Sequence, residues 1–414
     1  MTRHIVVMVT SSYPRFSGDS VGTFMEPIAK SIAARGHDVH VVAPWHPLVA
    51  RAERDGGVTF HFYKYAPLES LNVFGYAAAL RADVSLRAAA YIAAPLALAA
   101  GWRTARAVAR RHSATVMHGH WVIPGGPVAA FAAPRLPLVI SLHGSDVYVA
   151  ETFAPARYVA RRVFQRAGAV TACSADLARR AEALGADRGR IEVVPYGVDP
   201  DRFRPDPLAR AKRRASLGIG ARVPLVFAAG RLVRKKGFEY LIDAVARLPT
   251  ASETLTIIAG AGDLESELRH QAAAHGLGED RLRFVGNLTQ DDVAGWLATA
   301  DIVVVPSVRD DRGNVDGLPN IVLEALASGT PLIATPAGGI GSAIEHDRSG
   351  LLVPERDAAA LAQAIAGLAG DAARRIRLGE GGRTAAMARY GWEFAASRFE
   401  AAYDRALAIT SPGR

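Results

Sequence analysis

The sequence predicts an α/β protein of two doubly wound domains, and three observations carry that reading. The chain is 414 residues long, more than one hydrophobic core usually serves. Apolar runs of strand length recur along it, each closed by a glycine or polar turn and followed by a helical stretch. The series also starts afresh: Ile5-Val-Val-Met-Val9 opens one half, and Leu225-Val-Phe-Ala-Ala-Gly230 opens the other in the same strand, turn, helix order. Runs that apolar suit strands covered on both faces, as in a parallel sheet. The expected division is residues 1–200, 201–388 and a terminal segment 389–414.

Composition narrows the partners. Half of the residues are hydrophobic, and the single cysteine, Cys173, leaves no intrachain disulfide or cysteine-rich metal centre. A reducing, cytoplasmic compartment is expected. Thr2-Arg3-His4 leads straight into Ile5–Val9, a run too short for the apolar core of a secretory leader, so none is expected. The net charge of +9 admits nucleic acid, an anionic membrane or an anionic substrate as partner. From Val84 through Ser145 there is no Asp or Glu, while Arg87, Arg103, Arg106, Arg110, Arg111 and Arg135 are present. Within it Ala88–Trp102 is apolar and interrupted by Pro95; its 15 residues fall short of the roughly 20 that span a bilayer. A pair of helices with a basic flank is expected there, either lying on a membrane surface or buried with its arginines in water.

In the first half, Thr10-Ser-Ser leads to a loop holding Gly18 and Gly22, then a helix from about Phe24 to Arg35 and a strand Val39–Ala43. Gly18 and Gly22 do not complete Gly-x-Gly-x-x-Gly, so no tight pyrophosphate turn is expected. Thr115–Trp121 and Leu138–Asp146 each read as a short strand ending in histidine. Ligands of open α/β sheets gather beyond the carboxyl ends of strands, which makes His120 and His143 candidates, with a structural role as the alternative for His120. His118, His120 and His143 show no metal-ligand spacing, and no metal is expected. Strands at Ala169–Ser174 and Ile191–Pro195 flank a helix from Asp176 to Leu184, and residues 206–220 read as a basic linker with an exposed helix.

In the second half, Arg231-Leu-Val-Arg234-Lys235-Lys236-Gly237 turns into a helix Phe238–Arg247. Fixed cations beside the free N–H groups of a helix start make an anion site, with Arg234 and Lys235 expected to face solvent. Strand ends follow at Gly260, at Arg283-Phe-Val-Gly286 and at Asp301–Pro306. Asp316-Gly317-Leu318-Pro319 then opens a helix from about Asn320 that closes at Gly329. Glu324 stands alone among small and apolar residues, so this helix reads as buried and its carboxylate needs a basic residue or a ligand's hydroxyls. Asp316 lies eight positions earlier, at the positive end of the same helix. A last helix is expected at about Trp392–Leu407.

The pair Asp316 and Glu324 before Ala-Leu-Ala-Ser-Gly-Thr-Pro resembles the acidic signature of retaining, nucleotide-sugar-dependent glycosyltransferases of family 4. Gly230-Arg231-Leu and Lys236-Gly237 resemble the family's Gly-Arg-Leu…Lys-Gly motif. The resemblance implies the GT-B architecture: two Rossmann-like domains facing across a cleft, the first for acceptor and the second for nucleotide sugar, with the terminal helix returning to the first. It implies that Arg231 and Lys236, beside Gly230, bind the donor diphosphate and that Asp316, Gly317 and Leu318 meet the donor sugar. It likewise places Glu324 on the ribose, Gly286 near the base, His143 of His-Gly-Ser-Asp on the donor sugar, and the Gly18 and Gly22 loop with His120 near phosphates and acceptor. The family's first acid is usually Glu; here it is Asp, one methylene shorter.

Implied chemistry is sugar transfer with retention by a front-face route, Arg231, Lys236 and His143 acting, with no metal and no cofactor beyond the nucleoside-diphosphate sugar. Gly119-His-Trp-Val-Ile-Pro-Gly-Gly126 looks like transferases that build cell-surface polysaccharides on lipid carriers, so a saccharide or lipid-linked acceptor and a peripheral contact with the inner membrane face are expected. A sugar-nucleotide epimerase or phosphorylase of the same architecture is the alternative. A basic nucleic-acid-binding protein would leave the acid pair unexplained, and no basic motif interleaved with aromatics supports one.

Overall fold

The computed structural model describes residues 3–19, 21–72, 74–76, 80–82, 85–86, 88–220, 223–249 and 253–410; Val84 and Arg87 of the acid-free stretch lie outside them. The chain divides into two compact units, Met1–Gly197 with Trp392–Arg414, and Val198–Gly391.

The first unit runs β1 (Ile5–Val9), α1 (Met25–Ala34), β2 (Asp38–Pro44), β3 (Arg54–Asp55), β4 (Val58–Tyr63), β5 (Leu80–Ala82), β6 (Ser85–Leu86), α2 (Ala88–Arg111) and β7 (Val116–His120). It continues with α3 (Gly125–Ala132), β8 (Leu138–Leu142), α4 (Ser145–Thr152), α5 (Ala154–Arg166), β9 (Ala169–Ala172), α6 (Ala175–Ala183) and β10 (Ile191–Val193). Its main sheet has the order β10-β9-β8-β7-β1-β2-β4-β3, parallel except for β3. From β1 the chain steps outward to β2 and β4, then returns to the other side with β7 and proceeds to β10. The direction therefore reverses between β1 and β7, where the loops at their carboxyl ends diverge and leave a crevice.

The edge strands β3 and β4 are absent from the sequence reading: in β4 the polar Thr59 and His61 alternate with buried Val58 and Phe60, which shortens the apolar signal. The expected pair of helices over the acid-free stretch is instead one helix, α2, of 24 residues with Pro95 inside it. Proline removes one backbone donor, yet the alanine- and leucine-rich flanks favour helix on both sides and the segment packs against β1, β2, β4 and α3. Among the described residues no helix is long and apolar enough to cross a membrane.

The second unit contains α7 (Pro207–Ser216), β11 (Leu225–Ala229), α8 (Phe238–Arg247), β12 (Leu255–Ala259), α9 (Glu265–Ala274), β13 (Leu282–Phe284), α10 (Gln290–Thr299) and β14 (Ile302–Val305). There follow α11 (Asn320–Ala327), β15 (Leu332–Ala334), α12 (Ile340–Ala343), β16 (Leu351–Leu352), α13 (Ala358–Gly370) and α14 (Ala372–Arg389). The sheet order is β13-β12-β11-β14-β15-β16, all parallel, over a core that includes Val226, Ile258 and Val304. Its direction reverses between β11 and β14. Within residues 206–220 the expected exposed helix is present as α7, but the segment is anchored rather than a free linker: Asp206 caps α7 through the Ala209 N–H at 2.8 Å, and Arg210 and Arg214 reach Asp301 at 2.6 and 3.1 Å. Their charge is consumed by a carboxylate far ahead in the chain, which local composition could not show.

The last helix, α15 (Trp392–Thr410), packs on α1, β8 and β9 of the first unit. Tyr403 is fully buried and its hydroxyl lies 2.8 Å from His118 Nδ1, while Glu400 pairs with Arg35.

Candidate active site

At the reversal point of the second unit, the loop after β11 meets the loop after β14. The Val308 N–H donates to the Lys235 carbonyl at 2.9 Å. Gly237 sits at φ +65°, and a Cβ there would lie 2.0 Å from the Pro306 carbonyl oxygen, so this approach requires glycine. Residues 234–236 form one 3-10 turn, in which successive side chains point about 120° apart. Arg234 goes outward, half exposed, and pairs with Glu267 at 2.7 Å. Lys235 does not face solvent as expected; it is 3% exposed and its Nζ lies 3.4 Å from Asp316 Oδ1. Lys236 places its Nζ 2.6 Å from Asp316 Oδ2, with its stem over Gly230.

Burial by itself would raise the Asp316 pKa, but Lys236, Lys235 and Arg231 outweigh it and hold the carboxyl well below the usual range. Arg231, the outermost of the three cations, is exposed. Gly317 and Leu318 are buried behind Asp316. The Asp316 carbonyl is also fixed from far along the chain: Gly338 has φ +58°, and a Cβ on it would stand 2.0 Å from that oxygen.

Glu324 lies in α11, whose residues Ile321–Ala327 are all buried. Among the described residues it has neither ion-pair nor hydrogen-bond partner, and the basic residue that acts on it, Arg202, does so without a direct pair. Burial pushes its pKa up to about 7, only partly countered by Arg202. The carboxyl ends of β11 to β13 form a glycine rim, with Gly230 N–H on the Ala259 carbonyl at 3.0 Å and Gly260 N–H on the Gly286 carbonyl at 2.7 Å. Nothing stands within 4 Å of where a Gly286 Cβ would be.

In the first unit's crevice, His143 follows β8 and is partly exposed. Its Nδ1 meets the Tyr196 hydroxyl at 2.7 Å and its Nε2 meets His120 Nδ1 at 3.0 Å. Phe24 and Trp121 lean on the same ring, with centroids 4.9 and 4.6 Å away. Burial, reinforced by His118, lowers the His143 pKa to about 3, so the ring is neutral in the physiological range. Asp146 locks the loops after β7 and β8 together by accepting from the N–H groups of Val122 at 2.7 Å, Gly144 at 2.9 Å and His143 at 3.2 Å.

His120 is not a ligand contact: it is 0% exposed and stands behind His143. The reason is that β7 is a central strand between β8 and β1 and is buried along its whole length, its terminal His120 included. His118 uses its two nitrogens on Tyr403 and, at 2.7 Å, Ser141, so it does not join the other two as a metal ligand. Gly18 and Gly22 both adopt left-handed backbone in the loop after β1, which Arg15 and Asp19 close by an ion pair at 2.6 Å. Sequence reasoning missed Lys235, Tyr196, Phe24 and Gly338, none of which carries a local spacing signal.

Comparison with known proteins bears directly on these two crevices. The profile described as Glycosyltransferase Family 4 matches residues 21–202, and that described as Glycosyl transferases group 1 matches residues 223–371. The GDP-mannose-dependent alpha-(1-6)-phosphatidylinositol monomannoside mannosyltransferase of Mycobacterium tuberculosis is 33% identical over 287 residues, covering 67% of this chain and 73% of that one. A D-inositol 3-phosphate glycosyltransferase of Xylanimonas cellulosilytica is 37% identical over 228 residues, 54% of this chain and 53% of its own length. Among solved structures, Anabaena HepE in complex with UDP superposes with a TM-score of 0.76 at 22% identity, over 97% of this chain and 99% of that one. Matched in both halves by the family's profiles and by a mycobacterial mannosyltransferase over most of its length, the chain belongs to the family 4, group 1 glycosyltransferases and has their GT-B fold.

Proposed function

We propose that the protein transfers a hexose from a nucleoside-diphosphate sugar to an acceptor hydroxyl with retention at the anomeric carbon. The observation that carries this reading is the cationic turn around Asp316: Lys236 and Lys235 pair with its two carboxylate oxygens, and the exposed Arg231 adds to the field that keeps it ionised. In the reaction the bond from anomeric carbon to phosphate oxygen breaks, and the acceptor oxygen bonds to that carbon from the same face. The acceptor's proton passes to an oxygen of the departing diphosphate. Charge grows on that diphosphate, and prepositioned cations stabilise it more than water does.

Asp316 then offers its oxygens to donor-sugar hydroxyls while restraining Lys236. Glu324, with no ion-pair or hydrogen-bond partner among the described residues, takes the ribose hydroxyls, and the open rim at Gly286 leaves space for the base. His143 acts as a neutral hydroxyl-binding group, which requires a sugar hydroxyl to displace His120 or Tyr196 from its ring. The Mycobacterium relative is named for GDP-mannose and a phosphatidylinositol mannoside acceptor, and HepE was solved with UDP. Greater identity to the former favours GDP-mannose as donor and a phosphoinositol or lipid-linked acceptor.

A peripheral membrane contact through α2 fits this acceptor, since Leu96, Leu98 and Trp102 are exposed on the helix that carries Arg103 and Arg110. A thermal-shift panel of GDP, UDP and ADP with their sugars tests the reading, because a cognate donor raises the midpoint by mass action. No shift with any of them, or product of inverted anomeric configuration, overturns it.

A further inference from the structure

Three histidines widely spaced in sequence meet on one face of the first unit, away from the crevice. His40 lies in the amino-terminal half of β2, His61 in β4, and His112 follows the last residue of α2. The parallel register sets His40 opposite Thr59 and Val42 opposite His61, so His40 and His61 stand on the same face as diagonal neighbours. One ligand nitrogen from each of the three lies within 4.8 Å of the others, and His40 Nδ1 is 3.0 Å from His61 Nε2. The His112 ring lies 4.0 Å from that of His40, tilted by 33°.

Two further features single this cluster out. His40 is 2% exposed, and its Nε2 is buried with no hydrogen-bond partner. Whichever way the His40–His61 proton points, that nitrogen is left over. Its nearest acid is Asp38, with Oδ2 at 3.6 Å. A cation replacing the shared proton would take His40 through Nδ1, leaving Nε2–H directed at Asp38, which is the carboxylate–histidine–metal arrangement that orients ligating imidazoles.

We propose that His40, His61 and His112 bind a divalent transition metal, with Asp38 as the positioning carboxylate of His40. Three imidazoles suit zinc, copper or nickel rather than magnesium or calcium. Two of the rings are held neutral, as ligation needs: burial and the neighbouring histidines lower His61 to about 4, and the same causes lower His40. The carbonyl end of α2 adds favourable potential for a cation, against which Arg111 and Arg54 act from nearby. Ligation turns the His112 ring out of its tilt over His40 and ties the end of α2 to the sheet edge. The site is structural or regulatory, since it lies within β2 and β4 beside the end of α2, whereas the loops assigned to sugar binding follow the carboxyl ends of other strands.

The test uses tag-free, chelator-stripped full-length protein titrated with Zn²⁺ and with Co²⁺. One equivalent is expected to bind saturably, with a visible ligand-field band for Co²⁺ and a raised thermal midpoint. His61→Ala and His112→Ala should each weaken binding by about a hundredfold or more, and Asp38→Asn by about 10–100-fold. These partly exposed positions are chosen because His40→Ala opens a hole in the sheet face. The absence of saturable binding in the unaltered protein overturns the proposal. So does stoichiometric binding that survives both histidine substitutions and is lost in His143→Ala.

Discussion

Lys235 Nζ lies 3.4 Å from Asp316 Oδ1 with 3% of its side chain exposed, while the adjacent Lys236 holds the other carboxylate oxygen at 2.6 Å. Two neighbouring lysines thus share one acid from different depths. Lys235→Ala should destabilise the protein by on the order of 3 kcal/mol, the range for breaking a buried pair, with donor binding lost only in proportion to unfolding. Lys236→Ala should lower the thermal midpoint by less, because its side chain is the more exposed and water can take its place, and should cut turnover of the folded variant by about a hundredfold or more. Equal midpoints for the two variants would refute the separation of roles.

Asp316 also predicts an acid limb. Its folded pKa is depressed below its ordinary value near 3.8, so its stabilisation is present above that value and is lost as pH falls below it. Asp316→Asn should flatten the fall of the thermal midpoint below about pH 4 and lower the midpoint at neutral pH. An acid limb of the same slope in the variant would assign the effect to other carboxylates.

Glu324 behaves in the opposite sense. Its pKa is raised to about 7 in the folded protein, against 4.5 for the free side chain. Between those values the folded state binds more protons than the unfolded state, so stability falls as pH rises and the full cost is present above 7. The difference corresponds to about 3 kcal/mol. Glu324→Gln should therefore stabilise the unliganded protein at pH 8 by up to about that amount, with little effect near pH 4.5, while weakening nucleotide binding. Chemical denaturation at the two pH values decides it: equal increments would mean the carboxyl is not buried and unpartnered.

His143 should stay neutral across the working range. With a pKa lowered to about 3, its ring resonances in NMR should not move between roughly pH 5 and 8, and no imidazole near 6.5 should shape the activity profile. Tyr196→Phe leaves Nδ1 without its partner and should lower the midpoint by the equivalent of about 1–3 kcal/mol. A titration of the His143 signals near neutrality would remove its role as an uncharged hydroxyl-binding group.

Gly338→Ala is expected to impair donor binding from 22 residues beyond Asp316, because the added Cβ would meet the Asp316 carbonyl oxygen at 2.0 Å in a left-handed backbone. Isothermal titration with the cognate nucleoside diphosphate should show at least tenfold weaker binding in a folded variant. Unchanged affinity would show that the loop relaxes without moving its acid.

Much of this was legible before any coordinates. The alternation of Ile302–Val305, Leu332–Ala334 and their like with glycine- and proline-bounded helices specified parallel strands, and the helix Phe238–Arg247 was placed to the residue. These features are local: period, caps and turn residues act within a few positions. The cationic turn and the acid pair were equally local. What the sequence misread depended on distant partners. Lys235 looked like one of a run of wet charges because Asp316 lies 81 residues away, and residues 206–220 looked like a linker because Asp301 lies 91 residues from Arg210 and 87 from Arg214.

The sequence alone determined the two-domain α/β class, the cationic turn at Arg231–Lys236 and the carboxylates at 316 and 324. Only the tertiary structure decided which of those charges are buried, that Glu324 has no ion-pair or hydrogen-bond partner among the described residues, that His120 stands behind His143, and that His40, His61 and His112 come together. The reason is that burial and pairing are set by which strand lies next to which, and the reversals of strand order at β1/β7 and β11/β14 are properties of the assembled sheets rather than of any segment.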